Sequence, residues 1–374
     1  MGRRWNKQNL RKWGGIALIA ATSLLFLFAL LAGYAGFISP IFWAFPSMLA
    51  LVFLPLFLLS VLVTLGWNLY DFRHPVSIAG DVLFAVLLWP FLTVFPFGSR
   101  KTPYPNERTF TVMSFNTFYC NDIEYSNPVR SRTVDYIIER RADIVCLQEI
   151  YDLDAATTHG KATTAQVQHL KTLYPYRYEP GGRELVFLSR YPITPISGDE
   201  GKLFFQYQIV RINVAGTPVT VINVHLPSFG LSDGERQVVN QMKEGKDGVS
   251  ESAREMRTSI YGKLSNAFAT RANAARIIRS VADTIKGDLI VCGDFNDVPG
   301  SYAYRTIQGG DLRDVYRDTY TGYVPTFHNY MMYFHIDQMF YRGDMRALSF
   351  ERGDVSSSDH YPIVGTFAIP KQKE

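Results

Sequence analysis

Leu289-Ile290-Val291-Cys292-Gly293-Asp294-Phe295-Asn296-Asp297 (LIVCGDFND) is the stretch on which the reading of this chain turns. A short apolar run of this kind reads as a buried strand. The Gly, Asp and Asn residues that follow place a turn and hydrogen-bonding side chains at its tip. The same pattern recurs along the chain. TFTVMSFN (109–116) ends in Asn116, DIVCLQE (143–149) in Gln148 and Glu149, and PVTVINVH (218–225) in Asn223 and His225. Asp337 lies inside IDQMFY (336–341), and Ser358-Asp359-His360 precede IVGTFAI (363–369). Further strand-like runs lie at 185–189, 205–214 and 347–352, with helical spacing at 131–141, near 163–173 and at about 253–285. Residues 230–252 read as a polar insertion. Alternating strands and helices over roughly 265 residues bury a core large enough for one α/β or α+β domain.

Each polar strand end has an ordinary explanation when taken alone. Asn116 and Asn296 are turn formers, Glu149 suits a helix cap, His225 suits a structural hydrogen bond, and Asp359-His360 suits a surface turn. Asp337 is harder to dismiss, because a carboxylate inside an apolar strand needs a partner. Strand ends in such folds open into a common mouth, so the segments converge on one pocket. Carboxylates and side-chain amides are hard oxygen ligands that suit Mg²⁺ or Mn²⁺, and no Cys/His cluster with zinc spacing competes.

The ordered series SFN, QE, HLPS, GDFN, ID and SDH resembles the endonuclease/exonuclease/phosphatase superfamily. The likeness spans about residues 109–369, and FLSRYPI (187–193) adds to it. One departure is His335, where many members carry Arg. The resemblance implies a two-sheet α/β sandwich of the deoxyribonuclease-like type. It also implies the roles of individual residues. Glu149 matches the principal metal ligand, with Asn116 and Asp359 close to the metal. Asp294 matches the carboxylate that orients and deprotonates the attacking water, and Asn296 the amide that positions the phosphate. His360 matches the histidine that binds the phosphoryl group, held by Asp337, and His225 a second phosphate-contacting histidine and proton donor.

The first hundred residues are of a different kind. No Asp, Glu, Lys or Arg occurs from Trp13 to Tyr70, a run of 58 residues. One crossing of the bilayer needs about 20 apolar residues, so the run fits two spans. Pro40 divides it, giving spans at about 14–37 and 42–66, with a third at 77–97. Trp43, Trp67, Tyr70 and Trp89 suit an interfacial aromatic belt. The division expected is a basic N-terminus (1–12), an anchor (13–97), a linker (98–108) and the domain (109–369). Arg3, Arg4, Lys7, Arg11 and Lys12 precede the first span and favour the cytoplasmic side. Three spans then put the domain outside the cytoplasm, in a multi-pass protein of the inner (plasma) membrane.

The net charge of +4 comes from 38 Lys/Arg and 34 Asp/Glu. Residues 101–374 hold 31 and 32 of these, so the basic excess belongs to the anchor. This argues against a nucleic-acid-coating domain. Cys120, Cys146 and Cys292 lie in or beside apolar runs and read as core residues. The expected activity is therefore membrane-anchored, divalent-metal-dependent hydrolysis of a phosphoester, such as a phospholipid headgroup. The expected partners are the phosphoester substrate, whether lipid, nucleotide or nucleic acid, and the bilayer. Two alternatives remain open: an extracytoplasmic nuclease, and a tethered binding module without turnover.

Overall fold

Four helices come first in the computed structural model, which describes residues 7–121, 130–150, 153–158, 161–180, 184–198, 205–229, 251–329 and 332–371. They are α1 (Lys7–Gly33), the short α2 (Phe45–Ala50), α3 (Phe53–Asp71) and α4 (Pro75–Val94). α1, α3 and α4 are each long and apolar enough to cross a membrane. The second span, expected from the sequence at about 42–66, is a helix that begins at Phe53 and continues to Asp71. Pro40, and Pro46 at the start of α2, divide the intervening chain into turns. Residues 34–52 therefore form a folded loop at the top of the bundle. Gly33 packs against Leu87, Phe53 and Pro90, which sets the end of α1 beside the start of α3 and the end of α4. Pro90 is accommodated inside α4, where it is buried.

The remaining chain runs β1 (Glu107–Asn116), α5 (Arg132–Arg140), β2 (Ile144–Gln148), α6 (Leu153–Thr158), α7 (Thr164–Leu173), β3 (Tyr176–Tyr178), β4 (Leu185–Ser189) and β5 (Ile193–Gly198). It continues through β6 (Gln206–Val214), β7 (Thr217–His225), α8 (Glu251–Thr284), β8 (Leu289–Asp294), α9 (Tyr302–Gln308), β9 (Arg313–Asp314) and α10 (Val315–Thr319). The last strands are β10 (Phe327–Asn329), β11 (Met332–Phe334), β12 (Asp337–Arg342), β13 (Arg346–Arg352) and β14 (Ile363–Pro370). The insertion expected at about 230–252 lies outside the described residues up to position 250.

Two six-stranded sheets face each other. One has the order β13-β14-β1-β2-β4-β3 and the other β5-β6-β7-β8-β12-β9, while β10 and β11 form a separate hairpin. Side chains alternate across a strand with period two, and the sequence obeys this. Phe110 and Val112 of β1, Ile144 and Cys146 of β2, Val219 and Val221 of β7, and Ile290 and Cys292 of β8 all enter the core between the sheets. The opposite phase of the first sheet, Met113, Phe115, Val145 and Leu147, packs with Val134 and Ile137 of α5 and Val167 and Leu170 of α7. That of the second, Ile222, Val224, Leu289 and Val291, packs with Ala274, Ala275 and Ile278 of α8. Full burial of each large aliphatic side chain stabilises by about 1.5–3 kcal/mol. The result is a two-sheet α/β sandwich, and all three cysteines are buried and unbridged.

Polar side chains join the sheets near one end. Gln148 Nε2 donates to Asn223 Oδ1 at 2.6 Å, and Asn223 Nδ2 donates to the Leu147 carbonyl at 3.0 Å. Both residues are fully buried. The helical bundle is also joined to the domain. Residues 95–101 run along it, with Lys101 N–H donating to the Leu348 carbonyl and Gly322 N–H to the Pro96 carbonyl. Gly36 lies so close to the Gly300 carbonyl and to Arg305 that a Cβ would clash, and the Arg305 guanidinium stacks on Phe37 and Trp89.

Removing half of a buried polar pair costs about 1–3 kcal/mol, and loss of Asn223 takes from Gln148 Nε2 the shortest of its three acceptors, leaving Ser114 Oγ and the Cys146 carbonyl. Asn223→Ala is expected to lower stability by that amount, read as a reduced unfolding midpoint of the detergent-solubilised full chain. Wild-type stability would show that Gln148 does not depend on this bridge.

Candidate active site

The inward phase of the strands runs out in polar residues. Asn116 follows Phe110, Val112 and Ser114 on the inner face of β1, and Gln148 follows Ile144 and Cys146 on β2. His225 follows Val221 and Asn223 on β7, and Asp294 follows Ile290 and Cys292 on β8. Register then aligns these ends. Asn116 is opposite Gln148, His225 is opposite Asp294, and Asp337 is opposite Asp294 on the antiparallel side. At one end of the sandwich the last rung of one sheet thus carries two amides, and that of the other an imidazole and two carboxylates.

The turn after β8 sets the central carboxylate. Gly293 has φ +147, and a Cβ on it would run into the Val224 carbonyl oxygen of the neighbouring strand. Only glycine lets β8 pass this close to β7. Asp294, 1% exposed, accepts from Asn296 N–H on Oδ1 at 2.7 Å, and on Oδ2 from Asn296 Nδ2 at 3.1 Å and Asn116 Nδ2 at 3.0 Å. Asn296 sits at φ +51, a left-handed conformation uncommon outside glycine. The other proton of its amide is donated to the Leu226 carbonyl. The Asn296 amide is therefore committed to orienting Asp294.

Glu149, directly after β2, is also left-handed, at φ +48. Its carbonyl accepts from Thr117 Oγ1 and Tyr119 N–H, which hold that conformation. Its Oε1 accepts from Asn116 Nδ2 at 3.1 Å, so one amide bridges Glu149 and Asp294. His225 Nε2 faces the same two carboxylates, at 3.5 and 3.7 Å. Burial raises the Glu149 pKa, against the pull of His225 and Asn116 in the other direction.

On the far side of Asp294, His360 Nδ1 bonds Asp337 Oδ2 at 2.9 Å and its Nε2 lies 3.6 Å from Asp294 Oδ2. Burial alone would depress the His360 pKa, but Asp337, Asp294 and Asp359 outweigh it and push it up to about 10. Thr326 Oγ1 accepts the N–H groups of Ile336 and Asp337, and Ser358 Oγ donates to the Asn116 carbonyl. These two hydroxyls hold the strand and the loop that carry the His–Asp pair. Asp359 lines the cavity above the cluster, outside the tight groups below.

His335 packs away from this cluster. It is buried, stacked on Tyr316 at 4.2 Å and bonded to the Val324 carbonyl, and burial lowers its pKa to about 4. It is a neutral core residue.

The cluster forms the floor of a cavity of about 240 Å³. Glu149, Asp294, Asn296, Asp359 and His360 supply the polar side, and Phe118, Phe229, Phe327, Met332, Phe334 and Ile336 an apolar wall. Neither that wall nor Arg271 is among the site residues expected from the sequence. This fully buried arginine donates from Nε to the Pro227 carbonyl, faces Asp297 at 3.8 Å and stacks on Phe229. It pins the loop that supplies the Leu226 carbonyl to Asn296. The signal was present, because Arg271 interrupts the stripe of Phe268, Ala275 and Ile278 on α8, and an arginine on an apolar stripe needs a reason.

The donor set fits a divalent cation. Glu149, His225 and Asp294 offer ligand atoms within 4.8 Å of one another, and so do Asp294, Asp337 and His360. Two carboxylates held together in a buried space repel unless a cation or proton intervenes, and an oxygen-rich set suits Mg²⁺ or Mn²⁺. Asn116 Oδ1 is engaged by the Phe118 N–H, so its amide meets the carboxylates as a donor.

A family model described as Endonuclease/Exonuclease/phosphatase family matches residues 113–360. No curated protein matches the chain. Among solved structures, an endonuclease/exonuclease/phosphatase from Bacteroides vulgatus is similar at 19% identity, covering 70% of this chain and 98% of that one, with a TM-score of 0.45. One from Beutenbergia cavernae is similar at 19% identity, covering 70% and 72%, also at 0.45. Sphingomyelinase C from Streptomyces griseocarneus is similar at 17% identity, covering 69% and 99%, at 0.39.

Because no side chain fits at Gly293, Gly293→Ala is expected to push β8 from β7 and displace Asp294. Calorimetric titration of the variant with Mn²⁺ should show affinity reduced by roughly tenfold or more, with a lower unfolding midpoint. Wild-type values for both would mean that the strands absorb the methyl group.

Proposed function

Because the chain belongs to the endonuclease/exonuclease/phosphatase family, and is thereby a metal-dependent hydrolase of phosphate ester bonds, we propose that it is a membrane-anchored phosphoesterase whose domain acts outside the cytoplasm on a phospholipid headgroup or small phosphoester. The observation that carries this reading is the sharing of Asp294 between two groups, Glu149 with His225 on one side and Asp337 with His360 on the other.

In this proposal Glu149 is the principal seat of a Mg²⁺ or Mn²⁺ ion, with Asp359 and Asn116 beside it. A contact through Asn116 oxygen requires its amide to turn from the Phe118 N–H. When bound, the ion offsets the negative charge of the phosphate and of the breaking ester bond. Asp294, its Oδ1 held by the Asn296 N–H, keeps Oδ2 in place to aim a water molecule and take its proton. The amide of Asn296 positions the phosphate through the Asp294 it steadies. Asp337 fixes the orientation of the His360 ring, leaving Nε2 for a phosphoryl oxygen. His225 Nε2 supplies the proton to the departing alcohol. The water oxygen bonds phosphorus, the phosphorus–oxygen bond to the alcohol breaks, and charge and protons balance.

The three apolar helices and the basic N-terminus support the placement. Residues 34–52 and the domain lie at the same end of the bundle, so an odd number of crossings separates the N-terminus from the site. A reporter active only outside the cytoplasm, fused after Lys101, is expected to be active. A silent fusion with an active cytoplasmic counterpart would reverse the placement.

Activity is tested with the purified full chain against plasmid DNA, RNA, phospholipids and phosphoinositides, with and without Mg²⁺ or Mn²⁺. Asp294→Asn is expected to lower turnover by roughly 10²–10⁴-fold with the unfolding midpoint retained; near-normal turnover would remove its role as base. Glu149→Gln is expected to raise the metal concentration for half-maximal rate by roughly tenfold or more. Chelation should abolish turnover in wild type.

A further inference from the structure

One residue that lines the cavity does not belong to the catalytic domain. Leu51, in the turn between α2 and α3, lines it together with Glu149, Asp294, Asn296, Asp359 and His360. Leu51 and its neighbours are built into the mouth. Ala35 and Ala50 of the anchor form one buried cluster with Val298 and Ile336 of the domain, against which Leu51, Phe327 and Phe334 pack. Two residues after Leu51 the chain enters α3, one of the three helices long enough to cross a membrane. The same loop exposes Ile41, Phe42 and Trp43, with Phe42 89% exposed. Large apolar and aromatic side chains at the end of a spanning helix belong at the bilayer interface.

These placements have a joint consequence. The mouth lies beside the start of a helix long and apolar enough to cross a membrane, and Leu51 of the helical bundle supplies part of its lining. We propose that the substrate is a phosphoester carried by a membrane lipid, whose phosphate reaches the Glu149–Asp294 floor while its hydrocarbon portion stays in the leaflet. Leu51, Phe327, Phe334 and Ile336 form the apolar side of that path. The proposal rests on the hydrolase reading above and narrows its substrate class. An approaching nucleic-acid duplex meets the anchor loop and the membrane at this mouth, whereas a lipid enters from that side already oriented. Anchoring in this reading is part of substrate delivery, and the helices serve as more than a tether.

The test uses the full chain reconstituted in phosphatidylcholine bilayers with Mg²⁺ or Mn²⁺ and two p-nitrophenyl phosphodiesters, one bearing an ethyl group and the other a hexadecyl chain. The scissile bond is the same, so the ratio of their rates reports the hydrocarbon path. Wild type is expected to prefer the hexadecyl ester by roughly tenfold or more, and Leu51→Arg to remove most of that preference. Leu51→Ser and Phe334→Ser are milder changes expected to move the ratio in the same direction. Equal rates for the two esters in wild type would overturn the proposal and leave the hydrolase standing. A ratio unmoved in every variant that still hydrolyses the ethyl ester would do the same. Failure of folded wild type to hydrolyse either ester, with the metal supplied, would overturn the hydrolase reading itself and this proposal with it.

Discussion

Two carboxylates, Glu149 and Asp294, are held against their own repulsion at one end of a closed sandwich, and much of the architecture serves that arrangement. The Asn116 amide bridges them, His225 faces both, and the Asn296 turn fixes the rear of Asp294. Such a pair is costly in a buried setting without a compensating cation or proton. The surroundings are correspondingly rigid. Glu149 and Asn296 sit in left-handed backbone conformations secured by hydrogen bonds, and Gly293 allows a strand approach that no other residue permits.

The geometry follows from period-two alternation. Each contributing strand uses its inner face for apolar packing along most of its length and ends that face in a polar residue. Parallel pairing of β1 with β2 and of β7 with β8 makes those ends coincide, and antiparallel β12 brings Asp337 to the same rung. A slip of one residue in β8 would turn Asp294 outward and Cys292 with it. The core and the site are thus specified by one register. The buried Gln148–Asn223 bridge lies just beneath, where the strands must not slide.

The helical bundle and the sandwich form one packed unit. The Arg305 guanidinium between Phe37 and Trp89, the contact at Gly36, and the cluster of Ala35, Ala50, Val298 and Ile336 leave no free hinge between bundle and sandwich among the described residues. A domain held this way keeps a set orientation relative to the three apolar helices, a constraint a flexible linker would not impose.

Much of this was readable along the chain. Apolar runs of strand length, helical spacing at 131–141 and 253–285, and uncharged stretches of membrane length are local properties, so the sandwich and the three helices are legible residue by residue. The polar strand ends were visible for the same reason, since each closes its own run. What the chain could not show is which groups touch. That the Asn116 amide faces two carboxylates, and that the Asn296 amide is committed to Asp294, depends on rotamers set by neighbours far away in sequence. The beginning of α3 at Phe53 was hidden because residues 42–52 are apolar enough to enter a membrane. The turns around Pro40 and Pro46, and the packing of Ala50 and Leu51 with Val298 and Ile336, delay the helix to Phe53. Arg271 and Leu51 became part of the site only when distant segments closed over it. Sequence determined the elements and their chemistry because both are local, and tertiary structure decided the partners because long-range register and docking bring them together.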